Sequence, residues 1–213
     1  MIKFTKVIVI ALITACVLPL KSHARLTAAE AFASAPQSVF PLLDKNARLD
    51  MIDYFNSGSS TSSRNKLDGT SRIVNLTDDD AKIDMTDASS YQLSIIPAGN
   101  DSIISVISTV ATPAHDSHIT FYDRTWKKLP DGMFKAPEIK EWLTPDARKN
   151  PSMVTSMIPF MLAEYVYNPA DKSLTLTNNL KEFMSPDTES MIAPYLLPSL
   201  VYVWDGKKFN LSK

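Results

Sequence analysis

At 213 residues, 45% hydrophobic and 21% charged, the chain has the composition of a globular protein large enough to build a core without disulfides. Its 22 basic residues against 23 acids give a formal charge of −1, and Lys3, Lys6 and Lys21 all fall in the first 24 residues, so the remainder is mildly acidic. That charge argues against a nucleic-acid partner, and no basic cluster addresses an anionic membrane. The single cysteine, Cys16, also sits in this leader, so residues 25–213 offer no disulfide, all-cysteine zinc site or thiol nucleophile.

The leader itself is informative. Lys3 and Lys6 precede an apolar run over residues 7–20, and Ser22-His23-Ala24 supplies small residues for an export peptidase. This layout predicts a signal peptide over residues 1–24, followed by a single domain over 25–213, exported to the periplasm or the cell surface. The run is shorter than the roughly 20 apolar residues of a membrane span. No later segment approaches that length, so no transmembrane span is expected after signal removal. Ile13-Thr14-Ala15-Cys16 also resembles a lipobox, which would place a lipid anchor on Cys16. Cleavage after Ala24 is favoured, because Val17-Leu18-Pro19-Leu20 would make an oddly apolar start for a tethered protein.

Thr27-Ala28-Ala29-Glu30 is a capping box and predicts a helix to about Ala35, stopped by Pro36. Asn46 is the predicted cap of a second helix over residues 47–55, with Leu49, Ile52 and Phe55 along one face. Residues 57–70 are rich in Ser and Thr and read as a loop. From Ser71 the hydrophobic period becomes two. Strands are expected over 72–76, 81–86, 91–95, 103–110 and 118–122, with 103–110 apolar on both faces and therefore central. The proline-rich stretch 127–152 predicts a helical turn near 139–143, and a short helix follows over 151–158. Strands resume at 160–167 and 173–177. Ser185-Pro186 opens another short helix, and Asp205-Gly206 marks a closing hairpin. Together these elements predict an α+β fold: an antiparallel meander with short N-terminal helices and a few short helices between later strands.

Candidate chemistry is sparse. His115, Asp116 and His118 are the one cluster with metal-ligand character, and Ser117 beside them invites a hydrolase reading. A zinc site needs three or four converging ligands, and a serine nucleophile needs an oriented base and an oxyanion hole. A polar loop is the favoured account. Asp50 and Asp53 share a helix face, and Asp78-Asp79-Asp80 forms an acidic turn; neither pattern specifies a site. Of the three tryptophans, Trp126 and Trp204 lie near strand ends, whereas Trp142 falls in the proline-rich crossing and is the one expected to be exposed. No catalytic set, cofactor or metal site is assigned. The expected function is a non-enzymatic binding or protein-interaction module whose partner is an envelope protein or a glycan. The alternatives are an envelope hydrolase using paired carboxylates, which needs two acids in one cleft, and a small-ligand carrier, which needs an apolar cavity.

Several motifs carry a family resemblance over nearly all of residues 25–213. They are Phe40-Pro41-Leu42-Leu43, residues 48–55 (RLDMIDYF), Asn65-Lys66-Leu67-Asp68-Gly69, Asp101-Ser102, Ser108-Thr109-Val110, Asp116-Ser117, Phe121-Tyr122 to Trp126, and Leu200-Val201-Tyr202-Val203-Trp204. With these the chain resembles an exported Bacteroidales family called domain of unknown function 3256. The family pattern includes Asp116-Ser117 and lacks the flanking histidines, which weakens the metal reading. The resemblance implies an α+β protein of a Gram-negative envelope, in the periplasm or at the outer-membrane surface, and assigns no activity.

Overall fold

The computed structural model describes residues 25–59 and 61–212. Residues 1–24, with the expected cleavage site and Cys16, lie outside the described residues.

Helix α1 (Ala28–Ser34) begins at the capping box. Thr27 Oγ1 accepts from Glu30 N at 3.2 Å, and the Glu30 carboxylate accepts from Thr27 N at 2.9 Å. Helix α2 (Lys45–Asn56) starts earlier than expected, because Asp44 and not Asn46 is the cap, accepting from Ala47 N at 2.9 Å. Its buried residues are Arg48 and Met51; Ile52 and Phe55 of the predicted stripe pack against the first core, whereas Leu49 is 40% exposed. The reason is polar. Arg48 donates to Ala35 O at 2.6 Å and Leu43 O at 2.8 Å, tying the end of α1 to the start of α2.

Six strands then form a meander: β1 (Ser63–Arg64), β2 (Thr70–Leu76), β3 (Asp80–Thr86), β4 (Ser89–Ala98), β5 (Asp101–Ala111) and β6 (His115–Tyr122). Strand β1 falls inside the segment expected to be loop. Asn65 explains it: its Oδ1 accepts from Leu67 N and Gly69 N, and its Nδ2 donates to Ser71 Oγ and Met85 O. One buried side chain thus folds residues 65–69 back and presents β1 to β2. Alternation sets the two faces. Ala81, Ile83, Met85, Leu93, Ile95, Ile104 and Val106 pack with Phe32, Phe40 and Leu43 of the helical segment in a first core. Ile96, Ile103, Ile107, Ile119 and Phe121 belong to a second core on the opposite face. Strand β5 is buried from 103 to 107 and serves both, as its two-sided apolar sequence predicts.

The chain then crosses through 3-10 turns at Ile139–Trp142 and Ala147–Lys149 and helix α3 (Pro151–Thr155). Strands β7 (Ala163–Asn168), β8 (Ser173–Asn178), β9 (Ser199–Trp204) and β10 (Phe209–Leu211) form a second antiparallel sheet, ordered β10-β9-β8-β7. Helix α4 (Pro186–Ile192) lies between β8 and β9, capped as expected by Ser185. The final hairpin is present, but Trp204 pairs with Phe209, so its loop is longer than the two residues expected. Asp205 shapes it by accepting from Lys207 N and Lys208 N. Leu174, Leu176, Leu200, Tyr202 and Trp204 point into the second core. Trp142 joins them at 1% exposure, correcting the expectation that it is the free ring. No described helix is long and apolar enough to cross a membrane.

Candidate functional site

An edge strand presents alternate N–H groups that lack ladder partners. On β7 these belong to Ala163, Tyr165 and Tyr167, and side chains of the first sheet receive all three. Asp116 Oδ1 accepts from Ala163 N at 3.2 Å, Ser117 Oγ from Tyr165 N at 2.9 Å, and Gln92 Oε1 from Tyr167 N at 3.0 Å. Gln92 Nε2 donates in return to Tyr167 O and to Asp80 Oδ1, both at 2.7 Å, and Ser94 Oγ donates to the same Oδ1 at 2.6 Å. Burial pushes the Asp80 carboxyl up, and the bonds from Ser94 and Gln92 pull it back only partly. Because these anchors lie on β6 and β4, β7 runs across the strands of the first sheet. The second sheet therefore stands on that face by one edge.

This arrangement leaves an open corner. Register places Arg72, Asp84, Ser90, Thr109 and Ser117 side by side across β2 to β6, on the face that β7 crosses. Beyond β7, Arg72, Asp84, Ser90 and Thr109 of this row floor a groove of about 530 Å³ lined by Ser62, Thr70, Thr86 and Ser89 with Asp87 and His115; no Phe, Tyr or Trp lines it. The groove shares Asp84, Ser90 and Thr109 with a smaller pocket of about 150 Å³, where Val74 and Lys82 of the first sheet meet Glu164 and Val166 of β7. The outer face of the second sheet continues from there. Val166 pairs with Thr175 and Thr175 with Val201, and Val166, Val201 and Val203 are all exposed. Charges of both signs flank these valines. Arg72 binds Asp84 at 3.0 Å, and Glu164 shares a hydrogen bond with His115 Nδ1 at 3.1 Å.

The candidate residues separate. His115 and His118 fall on opposite faces of β6 by alternation, and Asp116 is engaged with the β7 backbone. Among the described residues, no group of three His, Cys, Asp or Glu side chains is placed to hold a metal. Asp50 and Asp53 are exposed on α2. In the acidic turn, Asp78 and Asp79 present their carbonyls to Ala28 N and Ile95 N, and only Asp80 is buried. Among the described residues, carboxylates share a pocket at Asp84 and Glu164, at Asp84 and Asp87, and at Asp116 and Glu138. Sequence reasoning passed over Asp84 and Glu164, along with Arg72, Val74, Lys82 and Val166. Their signal was present as the outward residues of alternating strands, but only the tertiary arrangement gathers them.

The fold is α+β, built from two antiparallel sheets, six- and four-stranded, with short helices covering one face of the larger. The family model for DUF3256, proteins of unknown function, matches residues 20–209, and the chain belongs to that family. A solved structure, of a domain of an uncharacterized protein from Porphyromonas gingivalis W83, matches with a TM-score of 0.75 at 22% identity, covering 86% of this chain and 96% of that one. That likeness shows a shared fold. No curated protein matches the chain.

Proposed function

We propose that this protein is an exported, non-enzymatic interaction module of the cell envelope, and that the corner between its sheets binds a partner protein. One observation carries the proposal: Val74 and Val166 meet in an open notch lined by Lys82, Asp84 and Glu164, with Arg72 paired to Asp84 beside it. Apolar centres with charged rims are the anatomy of protein interfaces. A glycan would favour an exposed Trp or Tyr face, and the polar groove is lined by no Phe, Tyr or Trp. The export signal places such a module outside the cytoplasm. Asp84 and Glu164 are held by Arg72 and His115 and sit at an open surface, a setting that supports recognition better than proton transfer.

The test is capture from detergent-solubilised envelopes, read by mass spectrometry, with the parent protein and with a Val74→Lys/Val166→Glu double variant. Both positions are exposed, so the fold is retained. A defined partner is expected with the parent and at least tenfold less of it with the variant. Equal recovery by the two, or no partner above control, refutes the proposal.

A further inference from the structure

A second cleft, of about 590 Å³, opens on the other side of β7, where residues 136–161 pass over β6 and β7. Ala163 and Tyr165 face it, whereas Glu164 and Val166 face the corner. Its walls are mainly apolar: Pro137, Ile139, Trp142, Phe160 and Met161 with the Tyr165 ring. Polar groups are few. Lys140 is paired with Glu138 at 2.9 Å, and Asp116 stands at the β6 side, holding Ala163 N through Oδ1.

Trp142 is the feature that points to a ligand. It is 1% exposed, and its Nε1–H is buried without a hydrogen-bond partner among the described residues. Buried donors in native proteins are nearly always paired, so each exception calls for an explanation. Here the unpaired donor belongs to a ring that walls a cleft, and an acceptor bound there would complete it. The charge at the site narrows the class. The Asp116 carboxylate disfavours an anion, and Lys140 already has its counter-charge. The Tyr165 phenol is pushed up to about 12, by burial first and then by Asp116, so it presents a neutral wall. The volume falls in the range of roughly 300–1,000 Å³ used for small ligands.

We propose that this cleft binds an uncharged, largely apolar small molecule bearing a hydrogen-bond acceptor, to which the Trp142 Nε1–H donates. The site is distinct from the corner and does not depend on a protein partner there.

Nile red, an uncharged aromatic dye with a ring carbonyl, is the probe. Titrated into the purified protein, it should show saturable fluorescence enhancement with a blue shift. Ala136→Trp, an exposed wall position, should fill the cleft and abolish that binding while the melting temperature holds. Trp142→Phe keeps the ring and removes the donor, so dye affinity should fall about 3- to 10-fold. The smaller ring also leaves a cavity in the core, so the same variant should melt somewhat lower than the parent. Non-saturable binding, equal binding by Ala136→Trp, or full affinity in Trp142→Phe overturns the proposal. If Trp142→Phe does not fold, the Ala136→Trp comparison decides alone.

Discussion

Gln92→Leu is the most direct probe of how the two sheets are joined. Gln92 is 7% exposed and makes three bonds: from Tyr167 N at 3.0 Å, to Tyr167 O at 2.7 Å and to Asp80 Oδ1 at 2.7 Å. Leucine has similar volume and makes none of them. Both polar groups of the Tyr167 backbone then lose a partner beside a side chain that is 2% exposed. Each orphaned buried group costs about 1–3 kcal/mol, and weakening the contact to a carboxylate adds to that. Asp80 keeps its bond from Ser94, and the leucine gains some apolar burial, so the net loss should be about 3–4 kcal/mol. For a domain of this size that corresponds to a drop of roughly 6–16 °C in melting temperature. Urea unfolding followed by tryptophan emission measures it, since Trp142 and Trp204 both lie in the core between the sheets. A loss under about 1 kcal/mol would refute the claim that side chains of the first sheet hold the β7 edge.

Two further outcomes follow from the same contacts. Burial raises Asp80 above its ordinary 3.8, so the folded state binds its proton more tightly than the unfolded chain does. Asp80 therefore weakens folding progressively as pH climbs from about 3.8 through its folded value, and Asp80→Asn should gain on the parent across that window and keep the gain at pH 7; urea unfolding at pH 3.5 and 7 checks it, and a constant difference between the two proteins counts against it. Asp116→Asn retains an oxygen to accept from Ala163 N and should stay within about 1 kcal/mol of the parent, whereas Asp116→Leu should lose about 2 kcal/mol; equal stability of the two variants in thermal melts would show that the bond to Ala163 N contributes nothing.

The local elements were legible because their signals are local. Thr27 and Glu30 specify a cap by themselves, and Ala81, Ile83 and Met85 specify a buried face by spacing alone. What escaped depends on partners distant in the chain. Leu49 looked like part of an apolar stripe, but the neighbouring Arg48 takes the buried position because two carbonyls, of Ala35 and Leu43, await a donor there. Trp142 looked free because prolines surround it, yet its 3-10 turn lays the ring into the core between the sheets. Asp116 looked like a ligand or a catalytic acid because it stands between two histidines. Its actual acceptor role was invisible, because Ala163 N lies 47 residues away and belongs to another sheet. Asp116 and Ser117 both hold β7, and His115 and His118 hold none of its N–H groups.

The placement of the second sheet follows from which polar groups on the face it meets can find partners. At one end of the strands, Arg72, Asp84, Ser90 and Thr109 form a polar row. Further along, Lys82, Gln92, Ile107 and Ile119 make a mixed row, then Asp80, Ser94 and Ser105 with Phe121 make a buried, mostly polar one, and beyond it Ile96 pairs with Ile103 in an apolar position. Stacking a sheet flat over the whole face, about 10 Å away, would strip water from the polar row without supplying partners. Covering only the apolar end buries Ile96, Ile103 and Ile107 and leaves the polar end wet, but it also brings an edge strand against the sheet with its N–H groups exposed. Gln92, Asp116 and Ser117 meet that demand, and Ser94 and Gln92 supply the partners of the buried Asp80. The corner on one side of β7 and the cleft on the other are therefore consequences of one packing solution, which the composition of the face imposes.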